Sequence, residues 1–180
     1  HVRGHVAGIA SRTMSITYTE KGAGLHQVIV AAGHGLREEN GKWVSSNDAA
    51  VQALIDSYSL ADAQDYVCAQ ISNRARDLRD KKLKGYSPFE VAAWSIKSAE
   101  AMKAAESGKA LDAPVLAKEA QARGIILEAM IAKVEGNAAV YGDLEAQIAG
   151  IDGKHRDVVR SLQSFDEVTA YNWSIGWPEV

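Results

Sequence analysis

Residues 85–97 read Gly85-Tyr86-Ser87-Pro88-Phe89-Glu90-Val91-Ala92-Ala93-Trp94-Ser95-Ile96-Lys97, and this stretch predicts the central helix of the fold. Ser87 is a favoured N-cap residue, and Pro88 follows at the first helical position, where a missing N–H costs nothing. Glu90 comes three residues after Ser87, which is the spacing of a capping box. Apolar residues then recur at helical spacing and predict one buried stripe, formed by Phe89, Ala92, Ile96, Ala99 and Met102.

Helical sequence continues on both sides of this stretch. Before it, residues from Leu60 to Leu78 step by three or four, which predicts a helix beginning at Leu60. After it, Asp112 is a suitable cap for a helix that stops at Gly124. A longer pattern close to a heptad follows, typical either of an antiparallel bundle or of a coiled coil between subunits. Its apolar residues are Leu127, Ile131, Val134, Ala138, Tyr141, Leu144 and Ile148. The segment 150–153 is expected to break this helix before a last one that carries Val158, Val159, Leu162 and Phe165.

The amino-terminal part differs, because strand patterns alternate there with short helical ones. Residues 15–19 alternate as in a strand, 25–32 carry a short helix, and 36–44 predict a hairpin with its tight turn at Asn40-Gly41. Ser46, Asn47 or Asp48 is expected to cap the next helix. The predicted fold is therefore mainly α, with a small αβ unit at 14–58 followed by an antiparallel helical bundle at 59–180. Residues 1–13 are expected to be a tag or linker, or alternatively a flexible arm, with Met14 as the native start.

Bulk properties narrow the class of protein. The chain has 180 residues, a net charge of -3 and one cysteine, Cys68, so no internal disulfide is expected and nucleic acid is not an expected partner. No apolar run reaches the roughly 18–20 residues that span a bilayer, and no leader of signal-peptide type is present. These features predict a soluble protein made in a cytoplasm, with no membrane partner.

A search for catalytic and metal-binding patterns returns little. The sequence has no Walker loop, no Gly-x-Ser-x-Gly elbow and no metal-ligand spacing, so no cofactor, no metal and no enzymatic activity are expected. His26 and His34 flank the first short helix, where a surface or core-edge histidine is the usual interpretation. The alternative enzyme hypothesis is a small hydrolase that uses Asp152, His155 and Asp157, three ionisable residues suited to proton transfer if they line a cleft.

Two surfaces remain as candidates for binding. The helix end from Arg74 to Lys84 is rich in lysine and arginine, which complements a helix dipole or, alternatively, binds nucleic acid. The aromatic carboxyl-terminal segment either docks a partner or folds back on the core. The predicted partner-binding residues are Tyr171, Trp173, Trp177, Leu127, Ile131 and Val134. Trp43, Trp173 and Trp177 are the stacking candidates for a sugar-binding alternative.

From Met14 onward the chain resembles small proteins that tailed phages and prophages encode near their tail or tail-fibre genes. The stretches that carry the resemblance are 18–22, 24–26, 32–34, 43–44, 48–52, Ser87-Pro88 with Trp94 and Lys97, 122–124, 153–157 and the terminal Gly176-Trp177-Pro178. At position 35 this sequence has glycine where the resemblance leads us to expect a bulkier aromatic residue. The resemblance supplies no catalytic residues.

The resemblance implies a structural or assembly role at the phage tail. The implied partners are phage tail or tail-fibre proteins, together with a homo-oligomer as a further expectation. The implied location is the virion, or the host bacterial cytoplasm during assembly. A helical chain without a catalytic set, with a heptad-like seam and an aromatic end, fits a role that depends on protein–protein contacts.

Overall fold

The computed structural model of the chain describes residues 19–45 and 47–180. The predicted arm at 1–13, Met14 and residues 15–18 of the predicted strand lie outside the described residues. The elements are a short 3-10 helix at Thr19–Lys21, α1 Ala23–Ala31, β1 Leu36–Glu39, β2 Lys42–Ser45, α2 Asp48–Ser57, α3 Leu60–Leu83, α4 Pro88–Ser107, a second 3-10 helix at Ala110–Asp112, α5 Pro114–Arg123, α6 Leu127–Ser161 and α7 Phe165–Ala170. This architecture confirms the predicted fold class, since a small amino-terminal helix and hairpin precede a set of packed helices.

The contacts of the chain form two compact units. One comprises His1–Gln70 and Asp157–Asn172, and the other comprises Ile71–Arg156 and Trp173–Val180. Helices α3 and α6 contribute residues to both units. The predicted boundary between residues 58 and 59 stays a prediction.

The hairpin of the first unit forms as its turn residues predict. Asn40 and Gly41 adopt φ values of 52° and 75°, and the two-residue turn they make sets the pairing of Glu39 with Lys42. The helix before it ends at Gly33, whose φ is 83°. The N–H of His34 donates to the Ile29 carbonyl oxygen at 3.2 Å, which satisfies a carbonyl at the helix end.

The core of the first unit is apolar. Leu25, Ile29 and Val51 are fully buried there, together with Ile55, Tyr58, Ala63 and Val168. Lys21 closes the end of α2, because its Nζ donates to the carbonyl oxygens of Ile55 at 2.6 Å and Tyr58 at 2.9 Å. Val168 belongs to α7, which begins with the complete capping box of Ser164 and Glu167. Helices α1 and α7 therefore share one core.

In the second unit the predicted buried stripe of α4 is wrong. Phe89 is 89% exposed, Ile96 55% and Met102 62%, and Ala92 and Ala99 are exposed as well. The buried face instead carries Ala101 and Ala104, with Trp94 and Lys97 half-buried. The start of the helix was predicted correctly, because the Ser87 side chain accepts a hydrogen bond from the Glu90 N–H. The second half of the predicted capping box is wrong, because the Glu90 side chain does not return a bond to the Ser87 N–H. Reciprocal bonds of this kind begin α3, between Ser59 and Asp62, and α7, between Ser164 and Glu167.

Charged side chains explain why α4 buries a different face from the one that the sequence predicts. Lys97 Nζ lies 2.6 Å from Glu119 Oε2, and Lys103 Nζ lies 2.9 Å from Asp112 Oδ1. Between them, Glu100 Oε2 accepts from the backbone N–H of Val115 at 2.9 Å and of Leu116 at 3.0 Å, so it caps α5. These three residues, the α4 polar row, are spaced by three, so that each is a neighbour of the next on the helix surface. Each of them contacts the segment 112–119.

Helix α6 runs from Leu127 to Ser161 without interruption, so the predicted break at 150–153 is wrong. Its four glycines each cost about 1 kcal/mol relative to alanine. Buried residues on both sides of the segment outweigh this cost, since Ile148 is 1% exposed and Val159 is fully buried. No helix in residues 19–45 and 47–180 combines the length and the apolar character that a membrane span requires.

Replacing Gly24 with alanine is expected to lower the free energy of unfolding by roughly 1–3 kcal/mol. The added Cβ would lie 2.7 Å from Cγ of Tyr66 and closer still to the Tyr58 hydroxyl. Gly142→Ala is the matched control, because nothing lies within 4 Å of its added Cβ and the helix gains about 1 kcal/mol. Denaturant unfolding followed by circular dichroism measures both. A Gly24→Ala protein as stable as Gly142→Ala would contradict the packing described.

Replacing Tyr58 with phenylalanine is expected to raise the free energy of unfolding by about 1 kcal/mol at neutral pH, because its buried hydroxyl has no hydrogen-bond partner. Burial, with a smaller contribution from Asp62, raises the pKa of Tyr58 from 10.0 to about 12. As the pH rises, this hydroxyl ionises in the unfolded chain before it does in the folded one. Its preference for the folded state is therefore complete below pH 10 and is lost as the pH rises towards 12. Tyr58→Phe removes that alkaline loss. Lower stability of the variant at neutral pH would refute the unpaired hydroxyl.

Candidate functional site

The predicted hydrolase cluster does not converge on a cleft. His155 is 5% exposed, its Nε2 lies 2.9 Å from the Ile175 carbonyl oxygen, and its ring lies 5.7 Å from that of Trp177. Asp152 pairs with Arg156 at 3.4 Å on the same helix. Asp157 is exposed. The imidazole is therefore in contact with the carboxyl-terminal segment, and the enzyme hypothesis gains no support from this cluster.

The predicted aromatic surface is half-buried. In the second unit, Trp177 packs beside the buried residues Ala75, Leu78 and Ile148, and its Nε1 donates to the Trp173 carbonyl oxygen at 2.9 Å. In the first unit, Tyr171 is half-buried, and burial raises its pKa. This is the fold-back arrangement rather than a fully exposed patch. The proposed partner-binding role of these aromatic residues stays a prediction.

The basic helix end is partly neutralised within its own unit. Arg79 Nε and one of its terminal nitrogens donate to the Glu145 carboxylate at 2.7 and 2.5 Å. This hydrogen-bonded pair raises the pKa of Arg79 and lowers that of Glu145. Lys82 Nζ lies 5.5 Å from the centroid of the Tyr141 ring. Two of the cations in the predicted nucleic-acid site thus contact α6.

The predicted seam residues of α6 pack inside the second unit. Leu127, Ile131 and Val134 are half-buried against a cluster that includes Leu116 and Met130. A role in partner binding stays a prediction for them. Exposed apolar residues of this unit lie on α4, at Phe89, Ile96 and Met102, and also outside it, at Leu111, Ile126 and Val140. We refer to Phe89, Ala92, Ile96, Ala99 and Met102 as the α4 stripe.

A cavity of about 370 Å³ lies between α4, α5 and α6. One wall is aromatic: the ring centroids of Tyr86 and Trp94 are 5.0 Å apart, and those of Trp94 and Tyr141 are 4.6 Å apart. Burial first, and then a hydrogen bond with Tyr86, raises the pKa of Tyr141 to about 12. The carboxylate of Glu90 also lines the cavity, and the Lys82 ammonium lies near the Tyr141 ring.

The opposite wall is ionic. Lys97 and Glu119 form a pair whose side chains are only 17% and 19% exposed, and Arg123 contacts the other oxygen of Glu119 at 2.5 Å. Burial, the largest effect, raises the pKa of Glu119, but the hydrogen bond and charge of Lys97, together with Arg123, outweigh it and lower the pKa. Lys133 and Asn137 complete this side. The cavity therefore combines a stacking surface with adjacent donors and acceptors.

The remaining predicted residues lie outside the cavity. His26 is exposed on α1, His34 is half-buried after it, and Trp43 packs against the core of the first unit. Within the part of the chain that the structure describes, no three histidine, cysteine, aspartate or glutamate side chains come together as metal ligands.

Comparison with known proteins does not place the chain in a family, since no family model, no curated protein and no solved structure matches it.

Sequence reasoning missed the cavity because its residues come from three helices. None of Tyr86, Trp94, Lys97 and Glu119 is assigned to a site from the sequence. One signal was present in the sequence: Tyr86, Glu90 and Trp94 are spaced by four residues, and Lys97 follows three residues later. This spacing puts Glu90, Trp94 and Lys97 on one side of α4, opposite the α4 stripe, and Tyr86, just before the helix, contacts Trp94.

Replacing Glu119 with glutamine is expected to lower the free energy of unfolding by about 1–2 kcal/mol at neutral pH, because it leaves Lys97 without its counter-ion. Because the pKa of Glu119 is lower in the folded protein than its ordinary value of 4.5, the carboxylate stabilises the folded state above pH 4.5. This stabilisation is lost as the pH falls through the pKa of Glu119 in the folded protein. The difference between wild type and variant should therefore shrink under acidic conditions. Urea unfolding across a pH series measures it. A difference independent of pH would rule out the ion pair as its source.

Proposed function

We propose that this chain is a structural or assembly protein of tailed-phage tails or tail fibres that acts through protein–protein contacts. The observation that carries the proposal is the α4 stripe, which leaves Phe89, Ile96 and Met102 more than half exposed on one helix face. Isolated apolar side chains are common on surfaces, whereas an apolar row along a helix is typical of a binding face.

The sequence resemblance supplies the partner for this proposal. The expected occupant of the α4 stripe is a helix of a tail or tail-fibre protein that presents its own apolar row, as in helix-in-groove recognition. The size of the residues supports the choice of a helical partner. Phe89 and Met102 stand at the ends of the stripe, and Ala92 and Ala99 leave shallow steps between them into which larger side chains fit.

The test uses the purified chain and the purified tail-fibre protein of the phage that encodes it. Phe89→Ser combined with Ile96→Ser is expected to weaken binding about thirtyfold, the effect of losing roughly 2 kcal/mol at an interface hot spot. Isothermal titration calorimetry measures the affinity. Val140→Ser is the matched control, because Val140 is also an exposed apolar residue on a helix, at 57%, and lies outside the stripe.

Unchanged binding by the double variant would contradict the role of the α4 stripe, and the absence of any binding to tail or tail-fibre proteins would contradict the proposed function. Mass spectrometry of purified virions separates the two forms of that function. A permanent component is present in the particle, whereas an assembly factor that departs is absent from it.

A further inference from the structure

We propose that the cavity between α4, α5 and α6 is a binding site for a saccharide. This site is distinct from the α4 stripe, because Trp94 and Lys97 line the cavity while Phe89, Ile96 and Met102 do not. The inference goes beyond the proposed function and does not depend on it. The cavity has a volume of about 370 Å³, which falls in the range of small-molecule sites, since these start near 300 Å³.

The aromatic wall consists of three rings in mutual contact: Tyr86 stands at 81° to Trp94 and at 78° to Tyr141, and Trp94 is tilted by 41° from Tyr141. Trp94 contacts both tyrosines, and the centroids of Tyr86 and Tyr141 are 6.4 Å apart. At these distances the three rings contact one another, so no ligand group fits between them. A ligand therefore has to stack on the outer face of a ring. The C–H face of a sugar ring is apolar and suits stacking on the face of one such ring.

The ionic wall matches hydroxyl groups. Lys97 uses one of its three donors on Glu119, and each Glu119 oxygen already accepts from one cation but has a further lone pair. A hydroxyl both donates and accepts, so neighbouring hydroxyls of a sugar can accept from the Lys97 ammonium and donate to the Glu119 carboxylate. Asn137, whose amide also donates and accepts, lines the same cavity.

The charged residues that line the cavity sum to only +1, so a strongly ionic ligand gains little net attraction. Three cations line the cavity, Lys97, Arg123 and Lys133, together with the carboxylates Glu90 and Glu119. Glu119 forms ion pairs with both Lys97 and Arg123, so its single negative charge is shared by two of the cations. A phosphate group would meet Glu90 and Glu119 as well as the cations. A neutral polyhydroxylated ring meets no such repulsion and satisfies both signs of charge.

The test is saturation-transfer difference NMR on the full chain, with glucose, galactose, mannose and N-acetylglucosamine as separate probes and p-cresol and inorganic phosphate as comparisons. The expected result is saturable binding of at least one sugar, with transfer strongest at its C–H face. Glu119→Gln, which keeps the size of the side chain, is expected to weaken that sugar about tenfold, the cost of one charged hydrogen bond. Trp94→Phe is expected to weaken it as well.

Val140→Ala is the matched control, since Val140 is exposed on α6, lies outside both the cavity and the α4 stripe, and should leave sugar binding unchanged. Circular dichroism establishes that each variant is folded. Failure of all four sugars to bind the wild-type chain overturns the proposal. Binding of p-cresol in place of the sugars also overturns it and assigns the cavity to an aromatic side chain of a partner. Sugar binding that survives both Glu119→Gln and Trp94→Phe places the ligand elsewhere and overturns it too.

Discussion

The α4 polar row decides which side of the central helix faces its neighbours. Lys97, Glu100 and Lys103 each bond to the segment 112–119, through a carboxylate, a pair of backbone N–H groups and a second carboxylate. Exposed ion pairs contribute little one by one. Here three contacts join the same helix to the same segment, one of them a half-buried pair, and together they favour one orientation of α4. The small residues Ala101 and Ala104 then pack beneath them.

Two surfaces of the second unit, the α4 stripe and the cavity, follow from this orientation of α4. With Lys97 and Trp94 turned inward, the α4 stripe has only solvent to face, and an apolar row remains available to a partner. The same turn places Trp94 beside Tyr141 and Lys97 beside Glu119, which creates the two unlike walls of the cavity. The first unit is built differently, since its centre is a conventional apolar cluster around Leu25, Ile29 and Val51.

Local chemistry made much of the fold predictable. Asn40-Gly41 predicts its hairpin because both residues tolerate positive φ, and Ser87-Pro88 predicts the start of α4 because cap and first-turn preferences act within a few residues. The buried side of α3 was also predictable, since Ile71, Ala75 and Leu78 recur at helical spacing and are buried. In each case the deciding interactions lie within the segment itself.

The errors arose where distant contacts outweigh local preference. Hydrophobic periodicity favoured the α4 stripe as the buried face, but the polar row bonds to residues up to 22 positions away, from Lys97 to Glu119, and no local pattern reveals it. The glycines at 150 and 153 predicted a break, but packing of Ile148 and Val159 keeps α6 continuous. The cavity is formed by three helices, so the sequence shows which residue types are present but not that they come together.

Glu100 also has a consequence for the order of folding. Helix α5 has only ten residues, below the length at which an isolated helix is stable in water, and its first free N–H groups are satisfied by a side chain from α4. The shorter helix therefore gains its full stability only once the longer one has formed, so the two assemble as a single cooperative step.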